Sequence, residues 1–205
     1  MSDGFSPREN ESSRRIVNVP NGISLVRLLL SPVLFTAIAL QWHRTACSLF
    51  VIISLSDVLD GWWARKFNQV TAVGRVLDPL LDKVVVCGAM ILLASSRGEI
   101  ASAIVSWMAV VVVVRELVVT AIRSELERLG HDFSAGVSGK LKMVLQCAGI
   151  TMELCTRIWP SQSLHDATVW VILAAVIATI YSGVEYFFVA WRVFKNKERS
   201  DHECN

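Results

Sequence analysis

Between positions 57 and 82, four aspartates interrupt a sequence that is otherwise almost wholly apolar. The stretch reads Asp57-Val58-Leu59-Asp60-Gly61-Trp62-Trp63-Ala64-Arg65, then eight residues, then Gly74-Arg75-Val76-Leu77-Asp78-Pro79-Leu80-Leu81-Asp82. On a helix, Asp57, Asp60 and Ala64 share one face, and Gly74, Asp78 and Asp82 share another. Two helices joined by a turn over 65–73 would point four carboxylates at one another. Taken singly, each aspartate reads equally well as a solvated helix cap. At mid-bilayer one such residue costs about 2.5–3.5 kcal/mol, so four together need a common compensation. Arg65 and Arg75 are too few to balance them, and four anions in a low-dielectric site require cations. Oxygen-only donors suit hard divalent ions, so one or two Mg²⁺ or Mn²⁺ ions are expected.

Metal held by carboxylates beside an arginine points to a diphosphate substrate. Two ions about 3.5–4 Å apart neutralise phosphate oxygens and stabilise the leaving group. One carboxylate is then placed to take the proton of an attacking hydroxyl. Gly61, Ala64 and Gly74 have two readings. Small residues let membrane helices approach closely, or they leave room for a phosphorylated ligand above the metals.

The elements that must position these groups are long apolar runs. The chain has 205 residues, 53% of them hydrophobic, and a mean hydropathy of +0.49. The apolar residues gather into runs of roughly 20, enough to cross a hydrocarbon core of about 30 Å. The expected fold is all-α: an integral membrane bundle of six transmembrane helices with a cytosol-facing polar cavity. The spans are expected over about 22–40, 46–65, 78–94, 101–123, 141–158 and 167–194. They form one catalytic domain over 20–194, flanked by cytosolic tails at 1–19 and 195–205. The N-terminal stretch is polar, with no apolar signal-peptide core, and Asp3, Glu9 and Glu11 argue against a transit peptide.

Orientation follows from the basic residues. One side collects Arg8, Arg14, Arg15, Arg65, Lys66, Arg75, Arg123, Arg128, Lys140, Lys142, Arg192, Lys195, Lys197 and Arg199; the other holds Arg44, Arg97 and Arg157. Both termini and the aspartates therefore face the cytoplasm. A net charge of +2 gives no footprint for nucleic acid. The five cysteines are scattered, without a CxxC pair, and read as apolar filler rather than a zinc site or disulfide framework.

The pattern Asp-x2-Asp-Gly-x2-Ala-Arg-x8-Gly-x3-Asp-x3-Asp resembles the signature of the CDP-alcohol phosphatidyltransferase family, and every fixed position is matched. The resemblance extends to six membrane helices and so covers nearly the whole chain. It implies a bacterial inner-membrane enzyme with two Mg²⁺ or Mn²⁺ ions, working as a homodimer. By the same resemblance Asp57, Asp60 and Asp78 bind metal, with Asp78 bridging two ions, while Asp82 completes the second metal site and acts as general base. Gly61 and Arg65 contact the CDP moiety, Arg65 near the diphosphate. Thr71 adds a polar contact, or else its hydroxyl serves the backbone of its own turn. Asn21 comes near the nucleotide.

The signature does not choose the acceptor alcohol. Arg115, Arg123, Lys140 and Lys142 lie near the cytosolic ends of the fourth and fifth spans. They read either as an Arg115–Glu116 pair with lipid head-group anchors or as a cationic pocket for a phosphorylated acceptor. Gly139-Lys140-Leu141-Lys142-Met143-Val144-Leu145-Gln146 resembles a Gly-Lys-x-Lys-Thr-x-x-Gln segment in the glycerol 3-phosphate branch of the family. Asn18-Val19-Pro20-Asn21-Gly22-Ile23-Ser24-Leu25-Val26-Arg27 resembles the leading segment of the same branch. Met143 and Ser24 depart from threonines there; the serine keeps a hydroxyl and the methionine does not. The expected reaction is transfer of the phosphatidyl group of CDP-diacylglycerol to sn-glycerol 3-phosphate, giving phosphatidylglycerophosphate and CMP. Inositol phosphate, inositol, serine or phosphatidylglycerol are the alternative acceptors. Two other classes are weaker. Intramembrane prenyltransferases carry two aspartate clusters, and a cation transporter would spread acids over several spans, whereas the first, fifth and sixth hold few, mainly Glu153 and Glu185.

Overall fold

The computed structural model describes residues 19–67, 72–96, 101–128 and 137–203, with side chains described for 26–56, 80, 83–96, 101–126, 139–193 and 195. Among the described residues six helices follow one another: α1 (Val19–Ala39), α2 (His43–Phe67), α3 (Ala72–Ser95), α4 (Ser106–Arg128), α5 (Val137–Ile158) and α6 (Gln162–Glu203). No strand occurs among the described residues. The all-α expectation holds, and each expected span has its helix. Several boundaries differ: the third helix begins at Ala72 rather than near 78, the fourth ends at Arg128 rather than near 123, and the fifth and sixth begin at Val137 and Gln162 rather than near 141 and 167. The fourth helix also begins at Ser106 rather than near 101, and the sixth continues past 194 to Glu203.

Local chemistry explains several of these boundaries. Pro32 lies inside α1 and has no N–H for the carbonyl of Leu28. The Ser31 hydroxyl donates to that carbonyl at 3.1 Å and to Arg27 O at 2.8 Å, so the helix runs on. α1 ends in a Schellman closure: Trp42 N–H donates to Ala37 O at 2.8 Å and Gln41 N–H to Ile38 O at 3.0 Å. Gln41 takes the left-handed position, φ 59°, that glycine usually fills.

α1 packs on α2 and α3, α5 on α6 and α2, and α4 bridges α3 and α6. Leu34, Ile38, Phe50, Met90, Leu93, Ile104, Ile150, Leu154 and Ile172 are buried at the centre. Two glycines allow the close crossings. A Cβ on Gly88 would lie 2.5 Å from the Phe35 ring of α1, and one on Gly149 would lie 2.4 Å from Ile172 Cδ1 of α6.

Polarity is distributed the wrong way round for a water-soluble bundle. Leu29, Leu117, Ile177, Phe188 and Trp170 are exposed, whereas Glu116, Lys142, Gln146, Glu153, Thr168, Thr179 and Ser182 are buried. By length and composition, one helix among the described residues, over Gln162–Val193, is apolar enough to cross a membrane. Shorter apolar stretches cover Val26–Ala39, His43–Ser56 and Lys83–Ser95.

Candidate active site

Helix α2 runs unbroken through positions 57, 60, 61 and 65, and α3 through 74, 78 and 82. The helical register that places Asp57 with Asp60, and Asp78 with Asp82, is therefore present. The side chains of Asp57, Asp60, Gly61, Arg65, Asp78 and Asp82, and Thr71 and Asn21, lie outside the described residues. An oxygen-only donor set on two continuous helices fits a hard divalent ion in its chemistry.

One position beyond Asp82, the chain turns from acidic to basic. Lys83 projects from α3 to α4, where its ammonium donates to the Thr120 hydroxyl, and that hydroxyl donates to Glu116 O one turn back. Glu116 is 5% exposed. Its Oε1 accepts from Arg115 Nη1 at 3.1 Å and from the ammonium of Lys142, which reaches it from α5. Arg115 also donates through Nη2 to Ser182 of α6, and its guanidinium lies 5.9 Å from the Tyr186 ring centroid. Its Nε is buried without a hydrogen-bond partner. A Cβ on Gly183 would come within 3.1 Å of Arg115 Cγ, so the glycine makes room for the arginine stem. On α5 one turn from Lys142, Gln146 Nε2 donates to Thr179 Oγ1 at 2.9 Å, and Thr179 donates to Ala175 O at 2.6 Å.

Of the expected acceptor residues, the structure brings Arg115 and Lys142 together on one carboxylate. Arg123 is half-buried two turns further along α4, and Lys140 is exposed on α5. The Arg115–Glu116 pair of the simpler reading is present, but it is half of a larger cluster. Lys83, Thr120 and Ser182 had no place in the sequence argument. A sequence signal existed for Lys83, a cation directly after the last aspartate. None existed for Ser182, a small polar residue in an apolar helix.

A second polar cluster lies at the other end of the bundle. Glu153 accepts from Arg157 Nε at 3.0 Å and Nη2 at 2.8 Å, from Ser102 Oγ at 2.9 Å and from Ala103 N–H at 3.2 Å. Arg157 also donates to Ser96 Oγ at 2.8 Å and Leu93 O at 3.2 Å. The carboxylate thus holds the 101–105 segment in a non-helical path, which is why α4 starts late. His43 sits nearby at the head of α2. Burial, and then the Arg157 charge, push its imidazole below its ordinary value against the opposing pull of Glu153. A groove of about 620 Å³ between α4 and α6 is walled by Val110, Val114, Val118, Phe187 and Phe188, with Arg115 at its lining.

The sequence pattern of the CDP-alcohol phosphatidyltransferase family matches residues 17–181. A protein of Bacillus subtilis (strain 168) named CDP-diacylglycerol–glycerol-3-phosphate 3-phosphatidyltransferase is 35% identical over 197 residues, covering 87% of this chain and 97% of its own. Proteins of the same name from Sodalis glossinidius and Yersinia enterocolitica are each 29% identical, over 180 and 185 residues. They cover 85% and 86% of this chain and 95% and 96% of their own.

Proposed function

Because the chain belongs to the CDP-alcohol phosphatidyltransferase family, we propose that it transfers the phosphatidyl group of CDP-diacylglycerol to sn-glycerol 3-phosphate, releasing CMP. One observation carries the reading. The complete aspartate signature lies on α2 and α3, and directly beyond its last aspartate Lys83 reaches the Thr120 hydroxyl of α4, beside Arg115 and Lys142 on the buried carboxylate of Glu116. The first suits a lipid diphosphate and the second a phosphorylated acceptor. The shared name of the relatives supports the same pair of substrates.

In this reading Asp57, Asp60, Asp78 and Asp82 hold two Mg²⁺ or Mn²⁺ ions, whose charge when bound neutralises the diphosphate and the departing CMP. Gly61, Arg65 and Thr71 seat the CDP group, with Arg65 at the diphosphate. Arg115 and Lys142, with Arg123 and Lys140, hold the acceptor phosphate. Asp82 takes the proton of the acceptor hydroxyl as its oxygen bonds to the lipid-side phosphorus and the bond to CMP breaks. Orientation by fixed cations at both ends of the reacting pair makes the attack effectively intramolecular.

The setting belongs to the same proposal: six membrane spans, both termini and the aspartates on the cytoplasmic side of a bacterial inner membrane, and assembly as a homodimer. The outward apolar and inward polar side chains among the described residues support embedding in a bilayer. Helix α4 interrupts its apolar run with the charges of Arg115, Glu116 and Arg123, and α2 carries Asp57, Asp60, Arg65 and Lys66 in its second half. The skew of lysine and arginine to one side supports the orientation.

The base assignment is tested with Asp82→Asn in purified protein supplied with Mg²⁺ or Mn²⁺. CMP release should fall by about 10²-fold or more. Release near the wild-type rate would remove Asp82 from that role.

A further inference from the structure

Between α4 and α6 the outside of the bundle is indented by the groove of about 620 Å³. Its walls are apolar and exposed, built from Val114 and Val118 of α4 and from Val184, Phe187 and Phe188 of α6. In a bilayer such walls alone select nothing, because lipid tails are equally apolar. Arg115 sets this groove apart. It is the one polar residue of the lining among the described residues, and its side chain is 9% exposed. Nη1 donates to Glu116 and Nη2 to Ser182, but Nε is buried without a hydrogen-bond partner. Where no water reaches, an unpaired donor loses its hydration with nothing in return. Nε lies 3.7 Å from the place that a Cβ on Gly183 would take, and Gly183 is itself part of the groove wall. The glycine contributes no side chain to cover the orphan donor.

We propose that the α4–α6 groove seats one acyl chain of the lipid substrate, with Arg115 Nε donating to the ester carbonyl of that chain. The inference rests on the proposed reaction and deepens it. The length fits one chain. From Val110 to Ile122 the α4 wall rises about 18 Å, close to one leaflet of a hydrocarbon core about 30 Å thick. The chemistry fits an ester. A ligand here must be apolar along its length and still present one acceptor, and an ester-linked chain has a carbonyl oxygen where an ether-linked chain has none. Position singles out the substrate among the lipids of the bilayer. Through Glu116 the same guanidinium is joined to Lys142, and Lys83 reaches α4 at Thr120 from the position after Asp82. A lipid held on Nε therefore stands one side chain away from the candidate site, where a diphosphate head group finds further contacts. A phospholipid without that head group gains only the groove.

The test uses the full chain in mixed micelles with Mg²⁺ or Mn²⁺. A CDP-diacylglycerol carrying a diazirine in one acyl chain is photolysed on the protein and the labelled peptides are mapped. Label should fall on α4 within 110–122 and on α6 within 180–188, displaced by unlabelled CDP-diacylglycerol and not by the same amount of phosphatidylcholine. Label confined to other helices, or displaced equally by phosphatidylcholine, would overturn the inference. CMP release with glycerol 3-phosphate gives the second readout. Wild-type KM should be about tenfold lower for the diester lipid than for its diether analogue. Val118→Trp, which fills the groove from an exposed position, should raise KM for CDP-diacylglycerol by about tenfold and KM for glycerol 3-phosphate by less than about threefold. Equal KM values for the two lipids, or equal rises for both substrates in Val118→Trp, would also overturn it. Should Val118→Trp not fold, the two wild-type comparisons decide. Labelling needs no turnover, so a chain that labels in the groove yet releases no CMP with glycerol 3-phosphate would sink the proposed reaction and leave the groove assigned.

Discussion

At the scale of single residues, the buried carboxylate of Glu153 is the clearest case of a group that the fold cannot lose cheaply. It is 2% exposed and accepts from Arg157, Ser102 and the Ala103 amide. Replacing it by glutamine leaves the Arg157 guanidinium buried without its counter-charge, a change that costs about 3–5 kcal/mol in comparable buried pairs. Glu153→Gln should therefore lower the melting temperature of the solubilised protein by about 10 °C, and Glu153→Gln combined with Arg157→Met should regain most of it. A melting temperature unchanged in the single variant would refute the clamp. Neither change should alter the ratio of the two substrate KM values, since this cluster lies at the opposite end from Lys83 and Glu116. The aspartates were legible in the sequence because their spacing is itself a helical face. The partnership of Glu116 with Lys142 was not, because the two are 26 positions apart and meet only through packing of α4 on α5. Neighbourhood along the chain favoured Arg115–Glu116, which exists, and concealed the third and fourth members.

At the scale of elements, the apolar runs located six helices, but their ends were set by groups that periodicity does not weigh. The start of α4 is deferred to Ser106 by the hydrogen bonds of Glu153 to the 102–103 segment. α6 continues to Glu203 because nothing in Arg192 to Glu203 breaks a helix, and only the loss of apolar residues suggested an earlier end. Packing of α2 against α5 makes a prediction that hydropathy could not. Cys47 Sγ and Cys155 Sγ lie 3.9 Å apart across that interface. A disulfide needs about 2.05 Å between the sulfurs, so side-chain rotation and a small helix shift suffice. Diamide treatment of the folded protein should link the peptides carrying Cys47 and Cys155 within one chain, and Cys47→Ser should abolish the link. Linkage of either cysteine to Cys87 or Cys147 instead would contradict the packing of α2 on α5.

At the scale of the whole molecule, two polar clusters sit at opposite ends of an apolar-coated bundle and divide its tasks. One end, with Glu153, Arg157 and Ser96, holds α3, α5 and the connection into α4 together. At the other, Lys83 ties α3 to α4 beside the two cations on Glu116. Family membership and the relatives' shared name converge on one reaction, in which a lipid diphosphate is attacked by a phosphorylated alcohol. The most direct measurement is CMP release by the purified chain with CDP-diacylglycerol, a divalent ion, and each of glycerol 3-phosphate, inositol, inositol phosphate and serine in turn. Release that requires Mg²⁺ or Mn²⁺, and that glycerol 3-phosphate supports at least about tenfold better than any other acceptor, is the predicted result. Release with inositol, inositol phosphate or serine but not with glycerol 3-phosphate would contradict it.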